Sequence, residues 1–154
     1  MKKVLLLLAL LGFAQADEET AKVVFDLTTN NLAKFEKNIL KGVAVNKAHY
    51  EGNLKELEVA VVIHGGAYRF FVKDIKNTIF NKDTKLVKIY PELKKRIATM
   101  ADTYEVQFLM CGAAMKRNHL KAKDIVKFVK IVPNSTIGLI DKQNEGFAYL
   151  PVRD

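Results

Sequence analysis

The chain has 154 residues, with 25 Lys and Arg against 17 Asp and Glu, a formal charge of +8, and 49% hydrophobic and 27% charged residues. That length suits one core and hardly two, and the composition is that of a compact globular domain. The basic excess is densest at Lys116, Arg117, Lys121, Lys123, Lys127 and Lys130. It follows no nucleic-acid-binding module or continuous stripe, so it reads as a solvated face rather than a nucleic-acid footprint.

Residues 1–16 have the layout of a signal peptide: Lys2 and Lys3, an apolar stretch from Val4 to Phe13, then Ala14-Gln15-Ala16. The apolar stretch is about half the roughly 20 residues that a spanning helix needs, so cleavage is expected and a stable membrane anchor is not. No cysteine stands near the cut to take a lipid. The product is expected to be periplasmic or secreted from a bacterium, with 17–154 as a single domain. Without Lys2 and Lys3 its formal charge is +6.

Lys22 to Leu27 is a short apolar run suited to a buried strand. Asn30 or Asn31 can cap the helix after it, in which Leu32, Phe35, Ile39, Val43 and Val45 fall near helical spacing. Leu57 to Ile63 is β-branched and almost continuously apolar, as a central strand covered on both faces requires. His64-Gly65-Gly66 ends it, and a short helix through Tyr68, Phe71 and Val72 follows. Residues 77–88 give little pattern. Pro91 is expected at a helix start, with Leu93, Ile97 and Met100 facing inward.

Glu105 to Cys111 reads as a strand running into a helix that begins near Gly112. Lys123-Asp124 opens another helical stretch, and Lys127 to Val132 is a strand. Thr136 to about Gln143 is a helix closed by Gly146 as its C′ residue, and Phe147 to Val152 is the last strand, with Pro151 marking an edge. Strands alternating with helices predict a three-layer α/β/α sandwich around a mostly parallel sheet of about five strands. In such sheets ligands bind outside the carboxyl ends of the strands, where His64 and Cys111 both fall.

Cys111 is the only cysteine. An exported protein meets an oxidising compartment, where an unpaired thiol is open to modification or intermolecular pairing. A helix N-terminus after it, with Lys116, Arg117 and His119 near, would favour the thiolate. A buried, inert thiol is the bland reading. His64 is a candidate base or a hydrogen-bond partner that positions an incoming thiol; the plainer role is a strand cap. Gly65-Gly66 could form an anion-binding nest, though a tight turn explains the pair equally well. His49 and His119 look like surface residues, and three histidines with one cysteine have no zinc-ligand spacing. No metal or organic cofactor is implied. Tyr68, Phe70 and Phe71 are expected mostly in the core, with one of them exposed as a subunit contact.

Four short motifs in order, Val62-Ile63-His64-Gly65-Gly66, Phe108-Leu109-Met110-Cys111-Gly112 with Met115, Val132-Pro133 with Gly138, and Gln143-Asn144-Glu145-Gly146-Phe147-Ala148-Tyr149, resemble the DsrE/DsrF-like family, and most of all its exported single-domain members. The likeness runs from Val23 to Val152. It implies a three-layer fold, self-association into trimers or hexamers, and a cysteine that carries sulfane sulfur as a persulfide, with Cys111 at the carrier position and His64 at a strand-end histidine. Tyr104 stands where a glycine is common, and Cys-Gly-Ala-Ala-Met replaces the Cys-Val-Ala-Ala run of the sulfur-relay subunits. The expected function is an exported sulfur-handling protein in which Cys111 accepts and relays sulfane sulfur, with a donor or acceptor protein as partner. Gly65, Gly66, Gly112 and Arg117 would stabilise the anion. The alternative is a non-catalytic oligomeric module that binds a small ligand or partner, with Cys111 as packing.

Overall fold

A computed structural model describes residues 20–154, so the leader expected at 1–16 lies outside the described residues. Five strands, β1 (Ala21–Leu27), β2 (Leu57–Ile63), β3 (Gln107–Cys111), β4 (Val129–Val132) and β5 (Ala148–Val152), pair in the order β4-β3-β2-β1-β5. Every pair is parallel, which is the sandwich sheet that the alternating pattern predicts.

Alternation along the strands divides the core in two. Phe25, Leu27, Val61, Ile63, Phe108 and Met110 face the larger cluster, completed by Phe35, Ile39, Leu93 and Ile97 from the helices. Val24, Ala60, Val62 and Leu109 face a smaller cluster with Phe147. The smaller cluster lies under one helix, α4 (Ser135–Asn144), with Leu139 and Val132 packed against it. Gly138 lets that helix lie close, since a Cβ there would stand 3.2 Å from Val132 and 3.6 Å from Val62.

Asn31 caps the first helical segment, α1 (Leu32–Phe35), by accepting from the Lys34 N–H. A π-helical stretch, Glu36–Lys41, joins it to α2 (Gly42–Gly52), and the Gly42 N–H reaches back five residues to the Lys37 carbonyl. Phe35, Ile39 and Val43 are fully buried as their spacing predicts, but Val45 is 67% exposed. Two residues beyond an inward Val43, a helical side chain falls on the opposite side.

The helix expected to begin at Pro91 begins earlier. In α3 (Thr84–Asp102) Pro91 is interior, and Asp83 caps the start by accepting from the Leu86 N–H. A buried stripe of Leu86, Tyr90, Leu93, Ile97 and Met100 holds this helix on the sheet despite the missing amide. Tyr68, Phe70 and Phe71 are all buried, so no aromatic of that group is left as a subunit contact. Phe70 stacks on Phe35 at 4.5 Å between ring centroids.

No helix follows Cys111 directly. Gly112 donates to the Val132 carbonyl and Ala113 to the Pro133 carbonyl, so the β3–β4 ladder continues past the strand and keeps the chain from coiling. A 3₁₀ turn, Lys116–Asn118, comes only after that, and His119 is left-handed at φ 53°.

The strand order has a consequence for the site. From β1 to β4 the chain steps one way across the sheet, and from β4 to β5 it returns across β3, β2 and β1. Right-handed crossovers put the return helix, α4, on the opposite face from the earlier connections. Neighbouring strands β3 and β4 are therefore followed by connections to opposite faces, the arrangement at whose carboxyl ends ligands bind in open α/β sheets. Cys111 ends β3, and Ser135 begins the helix after β4.

Candidate functional site

Cys111 is 5% exposed at the carboxyl end of β3. Burial alone would raise its pKa. Hydrogen bonds outweigh that effect: the Ala114 N–H, the Tyr68 hydroxyl, and the N–H and hydroxyl of Ser135 together hold the thiol below its ordinary value. The local helix dipole expected from the chain just after Cys111 is thus replaced by a distant one, the amino end of α4. Its N–H groups lack intrahelical partners and its first residue supplies two of the donors.

The Tyr68 hydroxyl donates to the Cys111 carbonyl oxygen. Burial, and then its bond to Cys111, push the Tyr68 phenol far above its usual range, and it remains a donor at every physiological pH. Gly112 is closely packed, since a Cβ would meet the Val132 carbonyl oxygen at 3.0 Å and Ile131 at 3.1 Å. Arg117 is exposed; its charge bears on Tyr68, and it is not among the main contributors to the thiol's lowered pKa.

His64 lies on the next strand. It continues β2 in extended backbone, at φ −155°, and its N–H bonds the Leu27 carbonyl. Ile63 pairs with Met110, so the register carried one step further sets His64 beside Cys111, on strands ~4.8 Å apart. His64 shares the parity of Val62, on the α4 side of the sheet, while Cys111, at the strand end, packs into the larger cluster with Tyr68, Ala114 and Met115. The architecture therefore brings together the two residues that the sequence marked at separate strand ends.

Behind His64 stands a group that sequence reasoning missed. Asp26, 3% exposed, occupies an inward position of β1. One carboxylate oxygen lies 2.5 Å from His64 Nε2. The other accepts from the Tyr149 hydroxyl at 2.6 Å and from Arg153 Nη2 at 2.8 Å. Burial would raise this carboxyl; the bonds from Tyr149, His64 and Arg153 more than offset it and hold Asp26 below the usual carboxylate range. Its only advance signal is the charged residue inside the Val-Val-Phe-Asp-Leu run of β1, where a solvated carboxylate would be out of place. Tyr68 and Ser135 carried no signal of chemistry, since the first reads as core and the second as the approach to a helix.

Gly65 and Gly66 answer to close packing. Gly65 has φ +58°, and the Gly66 N–H, a candidate for an anion nest, donates to the Thr28 carbonyl at 2.9 Å. A Cβ on Gly66 would come within 2.7 Å of the Asn30 Cβ. His49 and His119 are exposed. Among the described residues no three His, Cys, Asp or Glu side chains are grouped to hold a metal ion, and no helix is long and apolar enough to cross a membrane.

Three likenesses to known proteins bear on these findings. The chain is 33% identical over 153 residues to an uncharacterised protein of Aquifex aeolicus, covering 98% of this chain and 64% of that one, so it spans under two thirds of that relative's length. Its fold is similar to the solved structure of a protein of unknown function from Methanobacterium thermoautotrophicum, with a TM-score of 0.53 and 16% identity over 85% of this chain and 98% of that one. Residues 15–152 match the DsrE/DsrF-like family, a range that takes in every strand of the sheet together with Cys111 and Ser135. The chain belongs to the DsrE/DsrF-like family.

Proposed function

We propose that this is an exported sulfur-handling protein, active as a homo-oligomer, in which Cys111 accepts sulfane sulfur and passes it on as a persulfide. One observation carries the reading: the lone thiol is buried at the carboxyl end of β3, one register step from His64, among N–H and O–H groups that favour its thiolate. The thiolate is the nucleophile in sulfur exchange, and the same donors would receive it again as leaving group when sulfur is handed on. Membership of a family associated with sulfur relay supports the assignment. The layout of residues 1–16 supports export.

In the loading step Cys111 thiolate attacks the terminal sulfur of a polysulfide dianion. One S–S bond forms and one breaks, leaving a polysulfide shorter by one sulfur. No proton, metal or external oxidant is needed.

Incubating the chain with polysulfide and measuring its intact mass tests this. A gain of one or more sulfur atoms is expected, and Cys111→Ser should abolish it. No adduct across several donors would exclude a sulfur carrier. The low exposure of Cys111 favours a second reading, a structural thiol in a ligand-binding module. That reading predicts very slow native alkylation and unchanged assembly of Cys111→Ala.

A further inference from the structure

Sulfur exchange with a thiol has two ends, and the N–H and O–H groups around Cys111 serve only one of them. The Cys111 end is provided with hydrogen bonds for a leaving thiolate. The acceptor end needs a group that takes a proton, because an alkyl thiol of pKa ~8.5 is only about 3% ionised at pH 7. We propose that His64, held by Asp26, is the proton carrier for an incoming alkyl thiol acceptor, with Asp26 as its positioning residue. This role rests on the sulfur-carrier reading of Cys111.

The geometry supports it in three ways. Polar groups follow one another across four neighbouring strands, Tyr149 on β5, Asp26 on β1, His64 one residue past β2 and Cys111 at the end of β3. His64 Nε2 faces the Asp26 carboxylate, which accepts the Nε2–H and leaves Nδ1 of the neutral ring as the basic nitrogen. The His64 side chain is 27% exposed while that of Asp26 is 4% exposed, so the carboxylate is enclosed and the ring reaches solvent. A buried carboxylate is costly, and Asp26 is held by two further donors, Tyr149 and Arg153, that fix its orientation. Capping a strand end would need none of this, because the His64 backbone is already bonded to Leu27.

The acceptor sulfur bonds to the outer sulfur of the Cys111 persulfide, the bond from Sγ to that sulfur breaks, and the electron pair leaves as Cys111 thiolate. The thiol proton passes to His64 and from there to the departing persulfide. An anionic acceptor such as sulfite, which yields thiosulfate, has no thiol proton to surrender and needs no such carrier.

The comparison of these two acceptors is the test. Wild-type chain, His64→Gln, Asp26→Asn and Tyr149→Phe are each loaded to completion with polysulfide, and discharge to a simple alkyl thiol and to sulfite is followed at pH 7 by intact mass. Discharge to the thiol should fall by up to about 30-fold in His64→Gln, the factor set by the scarcity of thiolate, and by a smaller factor in Asp26→Asn. Discharge to sulfite should change by less than about twofold. Equal losses with both acceptors would show a structural lesion and overturn the role, as would no loss with either. Tyr149→Phe, which removes one hydroxyl at a half-open position, gives the same acceptor split in weaker form if Asp26→Asn does not fold. Failure of the wild-type chain to load at all would instead remove the carrier reading, and the acceptor role with it.

Discussion

Cys111 keeps a lowered pKa while buried because four neutral hydrogen bonds outweigh desolvation, and no cation is needed to explain it. Hydrogen bonds to a charged group are worth about 1.5–3 kcal/mol each, so loss of one should matter. Ser135→Ala and Tyr68→Phe should each move the pH profile of Cys111 alkylation to higher pH and slow the reaction at pH 7 by several-fold to about tenfold. Alkylation rates against pH for the three proteins check this, and coincident profiles would mean that the donors do not act on the thiolate. Neither residue was legible as part of the site. The sequence marked Cys111 through its lone occurrence and its strand-end position. Tyr68 follows β2 and Ser135 follows β4, segments that only the sheet order brings to Cys111, and Asp26 acquires meaning only once β1 lies between β2 and β5.

At the scale of elements, the strands were the legible part, because β2 and β3 are near-continuous apolar runs whose burial on both faces leaves one reading. Helix boundaries depended on competition between local signals. Pro91 is a start signal only when nothing upstream is stronger, and the Asp83 cap is stronger. Replacing Pro91 with Ala restores an amide at an exposed position where its absence costs up to about 3 kcal/mol in a helix interior. Thermal unfolding should therefore show a raised Tm; an unchanged or lowered one would mean that the ring packs usefully. Gly66→Ala should do the reverse. Its Cβ would collide with Asn30 where the loops after β1 and β2 cross, and a loss of about 1–3 kcal/mol in urea unfolding is expected.

Across the whole molecule, Asp26 is the point where strands distant in sequence are tied. It joins β2 through His64 and β5 through Tyr149, and Arg153 brings in the residues after β5. Those last residues also lie across the β1 end, where Val152 accepts from the Thr28 and Thr29 N–H groups and Asp154 meets Thr29 and Asn30. Because the folded-state pKa of Asp26 is depressed, its stabilisation is fully present above the unfolded carboxylate value near 3.9. It is lost as pH falls below that value through the lower folded one. Asp154 is depressed as well, chiefly by its bond to Thr29, and acts in the same window. Urea unfolding between pH 7 and pH 2 should therefore show wild-type stability declining below about pH 4. Asp26→Asn should be less stable at pH 7 and decline less steeply, because one of the two depressed carboxyls is gone. Parallel curves for the two proteins would show that Asp26 ionises equally in the folded and unfolded chains, and the link from β1 to β2 and β5 would then not depend on its charge.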